Sequence, residues 1–337
     1  MRAGGTVNTG DIDWAALPAL YVPFPSAINE YADSVHLRTT EWLRRFMVLA
    51  NETAYRRFSD IKIGRLAARF HPEAPLDALQ LISDWYGWMF FWDDQRDETE
   101  IGKQPSLLAA RNVGFLEVLT DAGSSESDPL ARALRDLRER LLAKATSEAW
   151  MRRFVGSIEE HFASTAWEAT NRSLGVTPDM DSYVRMRPIT GGLNIDTQFI
   201  EIAEQAYPPP KIWSDDTVRG MVLASNNAVC WANDMFSLEK ELRRNDVHNL
   251  VLILQLEQGL TLQAAFDRAI EMHNSEVRAF VDSASRLRQL DGPVDDVLRR
   301  FVTILQTRMS GFVDWARESG RYHSPVSTGQ PRIGGQR

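Results

Sequence analysis

Two oxygen-bearing runs interrupt otherwise apolar stretches of this chain. One is Asp93-Asp94-Gln95-Arg96-Asp97, directly after Met89-Phe90-Phe91-Trp92. The other runs from Asn233 through Ser237 to Glu241, directly after Ala228-Val229-Cys230-Trp231-Ala232. On a helix, residues three or four apart share a face. Asp93 and Asp97 then point the same way, and Asn233, Ser237 and Glu241 form a second row. All five offer oxygen, the donor that a hard divalent cation such as Mg2+ takes. Neutral Asn and Ser limit charge repulsion when an anionic substrate also coordinates, and Lys240 could reach a phosphate oxygen.

The elements that must carry these rows read as helices. At about 100° per residue, Tyr86, Phe90, Asp93 and Asp97 fall in one sector, so that face is aromatic lower down and anionic at its end. An unpaired buried carboxylate is costly, which argues against a purely structural role. The bland alternative has the aspartates just past the buried part, solvated and paired with Arg96. For the second row the alternative is a helix end leaving the core. Helical periodicity recurs along the chain, including Ser26 to Leu49, Ser59 to Ala68, Leu76 to Gln95, Met180 to Pro188, Asp196 to Ala206 and Asp215 to Arg243. Turn chemistry such as Gly175-Val176-Thr177-Pro178 and Asp291-Gly292-Pro293 separates such stretches. No two-residue alternation or hairpin signal appears. The expected class is all-α, with one helical domain over 21–322 flanked by loose segments at 1–20 and 323–337.

Composition narrows the partners. The 337 residues are 44% hydrophobic, with ten Trp and fifteen Phe, enough for a large core and an aromatic pocket. A net charge of −8 without a basic patch argues against a nucleic-acid partner. One cysteine, Cys230, excludes an internal disulfide framework. With no secretory signal and no stretch of about 20 apolar residues, the chain reads as cytoplasmic without a membrane anchor. Trp85, Trp88 and Trp92 read as core packing, whereas Asn226 and Cys230 share the face of Asn233 and could line a cavity. The six His lack the Glu-x-x-His spacing of a di-iron bundle.

In these motifs the sequence resembles class I terpene synthases, bacterial members in particular. Asp93-Asp94-x-x-Asp97 is similar to the family's aspartate-rich motif, and Asn233, Ser237 and Glu241 to its metal-binding triad. Arg187, followed by Pro188-Ile189-Thr190-Gly191-Gly192, stands where the family places a diphosphate-sensing arginine with its linker and effector. Trp315 and the Arg321-Tyr322 pair resemble the pocket tryptophan and terminal pair. The resemblance spans about 24–322. It implies three Mg2+ ions, an isoprenoid diphosphate bound with help from Arg187, Lys240, Arg321 and Tyr322, and closure relayed from Arg187 through Thr190 to Gly191. Thr190 departs from the family's usual Asp, so only a hydroxyl is available for that relay. The pocket would include Tyr86, Phe90 and Trp315, and released diphosphate would act as the final base.

This resemblance implies farnesyl diphosphate as first choice of substrate and geranylgeranyl diphosphate as second. A chain-elongating prenyltransferase would normally carry two aspartate-rich motifs. A non-catalytic scaffold would have no reason to keep Asp93, Asn233, Ser237 and Glu241 intact. Monomer and homodimer both stay open.

Overall fold

A computed structural model describes residues 20–121, 127–145, 147–205, 210–287 and 294–322, without the side chains at 97, 98, 210, 211, 294 and 295. The expected loose ends therefore lie outside the described residues, apart from Leu20, which packs half-buried on the core. Among the described residues there is helix and no strand. The helices are α1 (Ala32–Arg45), α2 (Glu52–Ile61), α3 (Ile63–Phe70), α4 (Leu76–Glu98), α5 (Pro105–Thr120), α6 (Pro129–Lys144) and α7 (Glu148–Leu174). They continue as α8 (Met180–Thr190), α9 (Leu193–Glu204), α10 (Asp216–Arg244), α11 (Leu250–Gln258), α12 (Leu262–Leu287) and α13 (Val294–Glu318).

Helices α4 and α10 organise the bundle. Helix α4 is apolar on nearly every side and packs against α1, α3, α6 and α9. Its Trp85, Trp88 and Trp92 are buried, interlocked with Phe115 and Phe154 at ring separations of 5.0–5.2 Å. Such edge-to-face contacts contribute about 0.5–1.5 kcal/mol each beyond the area they bury. Helix α10 begins where Asp215 caps the backbone N–H groups of Thr217 and Val218, and ends at Asn245 with φ 54°. It packs on α8, α11, α12 and α13. Its mid-section, Ala224 to Ala232, is buried throughout.

Two breaks differ from the sequence expectation. The helix expected over Ser59 to Ala68 is two helices, because Lys62 adopts a left-handed conformation (φ 56°) between α2 and α3. Long-range contact fixes this kink: Lys62 Nζ donates to the Glu318 carbonyl at 2.8 Å. Helix α9 starts at Leu193 rather than Asp196. Gly192, at φ 71°, supplies the turn between α8 and α9 that an L side chain would strain.

Candidate active site

Helices α4 and α10 face one another across a cavity of about 200 Å³. Asp93 on α4 and Asn233, Ser237, Lys240 and Glu241 on α10 line its mouth. Tyr86 and Phe90 lie below Asp93, with Leu66, Phe70, Met89, Val229 and Phe312 completing an apolar interior. Asp93 and the second oxygen row thus meet over one hollow. Asp97 belongs to α4, but its side chain lies outside the described residues.

Asp93 and Asp94 are already charge-balanced. Arg321 donates to Asp93 Oδ2 and Asp94 Oδ1, both at 3.1 Å. Buried Arg96 donates to Asp93 as well, so the pairing with Arg96 weighed in the sequence is present, inside a cavity rather than in solvent. Lys240 reaches Asp94 at 3.7 Å from α10. Arg321 also stacks 4.7 Å over the Phe90 ring. Three cations, Arg96, Lys240 and Arg321, thus gather around the two carboxylates at the mouth.

The second row is held from below. Arg187 Nη2 donates to Asn233 Oδ1 (2.7 Å), and Asn233 Nδ2 donates to the Tyr322 hydroxyl (2.6 Å). Arg187 is anchored by Asp234, which accepts from its Nε at 2.9 Å, from the Tyr183 hydroxyl at 2.7 Å and from the Leu250 N–H at 3.1 Å. Sequence reasoning missed Asp234. One position past Asn233, it points off the Asn233–Ser237–Glu241 row into α8 and α11, and that offset was the available signal. A polar rim likewise unseen extends the mouth, where Arg172 pairs with Asp246 at 2.8 Å.

The donor set fits a divalent cation. Ser237 Oγ is buried beside Glu241 without a hydrogen bond of normal geometry. Burial, then Asp234 and Asp246, push the Glu241 carboxyl up to about 8, even though Asn249 donates to it at 2.6 Å. A carboxyl group whose ionisation burial and like charge oppose, beside a hydroxyl with no well-formed partner, is a pair of oxygens short of positive charge. Among the described residues no group of three His, Cys, Asp or Glu forms a metal cluster. The set is a mixed one from Asn, Ser and Glu.

Four expectations change. Trp315 is fully buried behind the wall and does not line the cavity. Its indole N–H donates to the carbonyls of Ile61 and Lys62, and its ring packs on Phe90, Phe312 and Tyr322. Trp85, read as core, does reach the lining, while Asn226 is turned away and bonds Asn194 and Arg308. The Thr190 hydroxyl donates to the Arg187 carbonyl at 3.2 Å, so it closes the helix turn instead of bridging to the effector position. The turn is sterically tight. A Cβ on Gly191 would stand 2.5 Å from Cys230 Sγ, and the Cys230 thiol itself points at the Arg187 carbonyl, 3.5 Å away.

A family model described as "Terpene synthase family 2, C-terminal metal binding" matches residues 84–279, which hold both oxygen rows. The chain belongs to the terpene synthase family. This makes it a carbon–oxygen lyase that acts on an isoprenoid diphosphate with a divalent metal. Germacrene A synthase of Nostoc punctiforme is 34% identical over 308 residues, covering 91% of this chain and 95% of that protein. The "(+)-T-muurolol synthase ((2E,6E)-farnesyl diphosphate cyclizing)" of Roseiflexus castenholzii is 36% identical over 315 residues, covering 93% and 96%. Among solved structures, the SVS_A2 protein from ancestral sequence reconstruction superimposes with a TM-score of 0.82 at 26% identity, covering 89% of this terpene synthase and 90% of that chain. No helix among the described residues is long and apolar enough to cross a membrane.

Proposed function

We propose that this terpene synthase is a Mg2+-dependent cyclase of farnesyl diphosphate, yielding a cyclic sesquiterpene and diphosphate. One observation carries the reading: Asp93 and the Asn233–Ser237–Glu241 row converge from two helices over an apolar, aromatic hollow. The muurolol synthase relative, named for cyclizing (2E,6E)-farnesyl diphosphate, supports the choice of chain length.

Asp93, with Asp97, would hold Mg2+ on one side, and Asn233, Ser237 and Glu241 on the other, three ions in all when diphosphate is bound. Mg2+ held there supplies Lewis-acid stabilisation of the charge that grows on the leaving group. Arg187, Lys240, Arg321 and Tyr322 donate to the diphosphate oxygens. Arg187 reports occupancy to Gly191 through the α8 turn, closing the mouth against water. Phe90 and Tyr86 turn their ring faces to the allylic cation left behind, each contact contributing about 0.5–2 kcal/mol.

The test is incubation of the purified chain with C10, C15 and C20 diphosphates, with Mg2+ and after chelation. A cyclic C15 hydrocarbon with stoichiometric diphosphate, lost on chelation, is expected. A longer prenyl diphosphate as product would move the chain to elongation, and no diphosphate release from any substrate would overturn the reading.

A further inference from the structure

The cavity floor carries a charged network whose hydroxyl and carboxylate the reaction outlined above leaves unused. Tyr86 donates its phenolic proton to Asp196, and both residues line the cavity. The same oxygen of Asp196, Oδ1, lies 3.0 Å from His71 Nε2, and its Oδ2 accepts from Arg308 Nη1 at 3.1 Å. Arg308 is fully buried and also donates to Asn226 Oδ1 (2.7 Å) and Thr197 Oγ1 (3.1 Å). Burial raises the Asp196 carboxyl, but His71 and Arg308 outweigh it and hold the group at about 2. Burial first, then Asp196, raises the Tyr86 phenol well above its usual range, so the hydroxyl stays protonated.

An ion pair beneath a hydrocarbon site is an expensive way to tie helices together, since apolar packing of similar volume is often as stable. Position suggests another use. Tyr86 precedes Asp93 by two helical turns on the same face, which puts it about 10 Å deeper along α4. A cation that finishes its path at the floor is therefore out of reach of a diphosphate held at the mouth.

Building on the proposed cyclase function, we propose that Tyr86, backed by Asp196, takes the final proton from the carbocation at the floor of the cavity, in place of the departing diphosphate. The C–H bond next to the cationic carbon breaks, and its electron pair becomes the second bond of the alkene. That proton passes to Tyr86 Oη as the phenolic proton moves to Asp196 Oδ1. The positive charge of the cation is cancelled by the lost negative charge of Asp196, and Arg308 stays protonated. A carbocation is a far stronger acid than a carboxylic acid, so a carboxylate of low pKa still accepts the proton. The proton returns to solvent when the mouth opens to release product.

Tyr86→Phe keeps the ring and removes only the oxygen, so cavity shape is preserved. With farnesyl diphosphate and Mg2+, diphosphate release is expected to fall less than fivefold. The share of the principal hydrocarbon falls more than tenfold, replaced by isomers deprotonated elsewhere or by alcohols from water capture. Asp196→Asn leaves the hydroxyl and an amide oxygen to accept from it but removes the carboxylate that takes its proton, and shifts products the same way, thermal melting reporting whether that variant folds. An unaltered product spectrum in Tyr86→Phe overturns the proposal while leaving the cyclase reading intact. Absence of diphosphate release by the unmutated chain sinks that reading first, and this one with it.

Discussion

Asn233 shows how one side chain serves two purposes at once. Its amide links Arg187 to Tyr322, while its place in the α10 row puts it in the proposed ligand set. Replacing it with Ala forfeits two rim hydrogen bonds, about 1–2 kcal/mol of stability, whereas the site loses a metal donor. Asn233→Ala is expected to cut diphosphate release at least 100-fold with only a few degrees lost in melting temperature. Near-normal turnover would remove it from the ligand set. Phe90 is a different case, since it edges Trp315 at 5.8 Å and underlies Arg321. Phe90→Ala should redistribute cyclic products more than it slows ionisation, which gas chromatography beside a diphosphate assay can separate. Both residues were legible from spacing alone. Trp315 was not, because its helical register cannot say whether Phe90 and Tyr322 stand in front of it.

At the scale of elements, the junction of α8 with α10 is where the proposed closure would begin. Pro188 within α8, Gly191 at its end and Gly192 beyond it set a turn pressed against Cys230. Gly191→Ala forces a methyl group onto the Cys230 sulfur and crowds Arg187, so a fall of more than tenfold in kcat/KM is expected. Adding Cys230→Ala removes the sulfur and should restore several-fold of the loss. Equal activity of the single and double variants would show that the contact is not what Gly191 protects. The turn residues were visible in the sequence, but their neighbour was not. Cys230 was placed on the cavity face by its own helix, and only the docking of α8 on α10 sets it against Gly191. The split of α2 from α3 at Lys62 has the same origin, since the carbonyl that holds the kink belongs to Glu318, 256 residues away.

For the whole molecule, buried histidines set the response to acid. His161 beneath the α8 turn and His273 within α12 are each held down to about 4, chiefly by burial. An unfolded imidazole takes its proton near pH 6.5. The stability these groups contribute is therefore present above about 6.5 and is lost as pH falls toward 4, on the order of 3 kcal/mol for each. The melting temperature should drop across that window, and His273→Gln, remote from the cavity, should flatten the slope; an unchanged slope would put the acid sensitivity elsewhere. What the sequence by itself determined was the helical class, the two oxygen rows and the faces they occupy, because periodicity along one helix is a local property. Which residues meet is not local. Asp234 beneath Arg187, Trp315 behind Phe90, and Asp196 joined to Arg308 across 112 residues of chain were decided only when the helices packed. Partners brought together by burial leave no spacing in the sequence to be read.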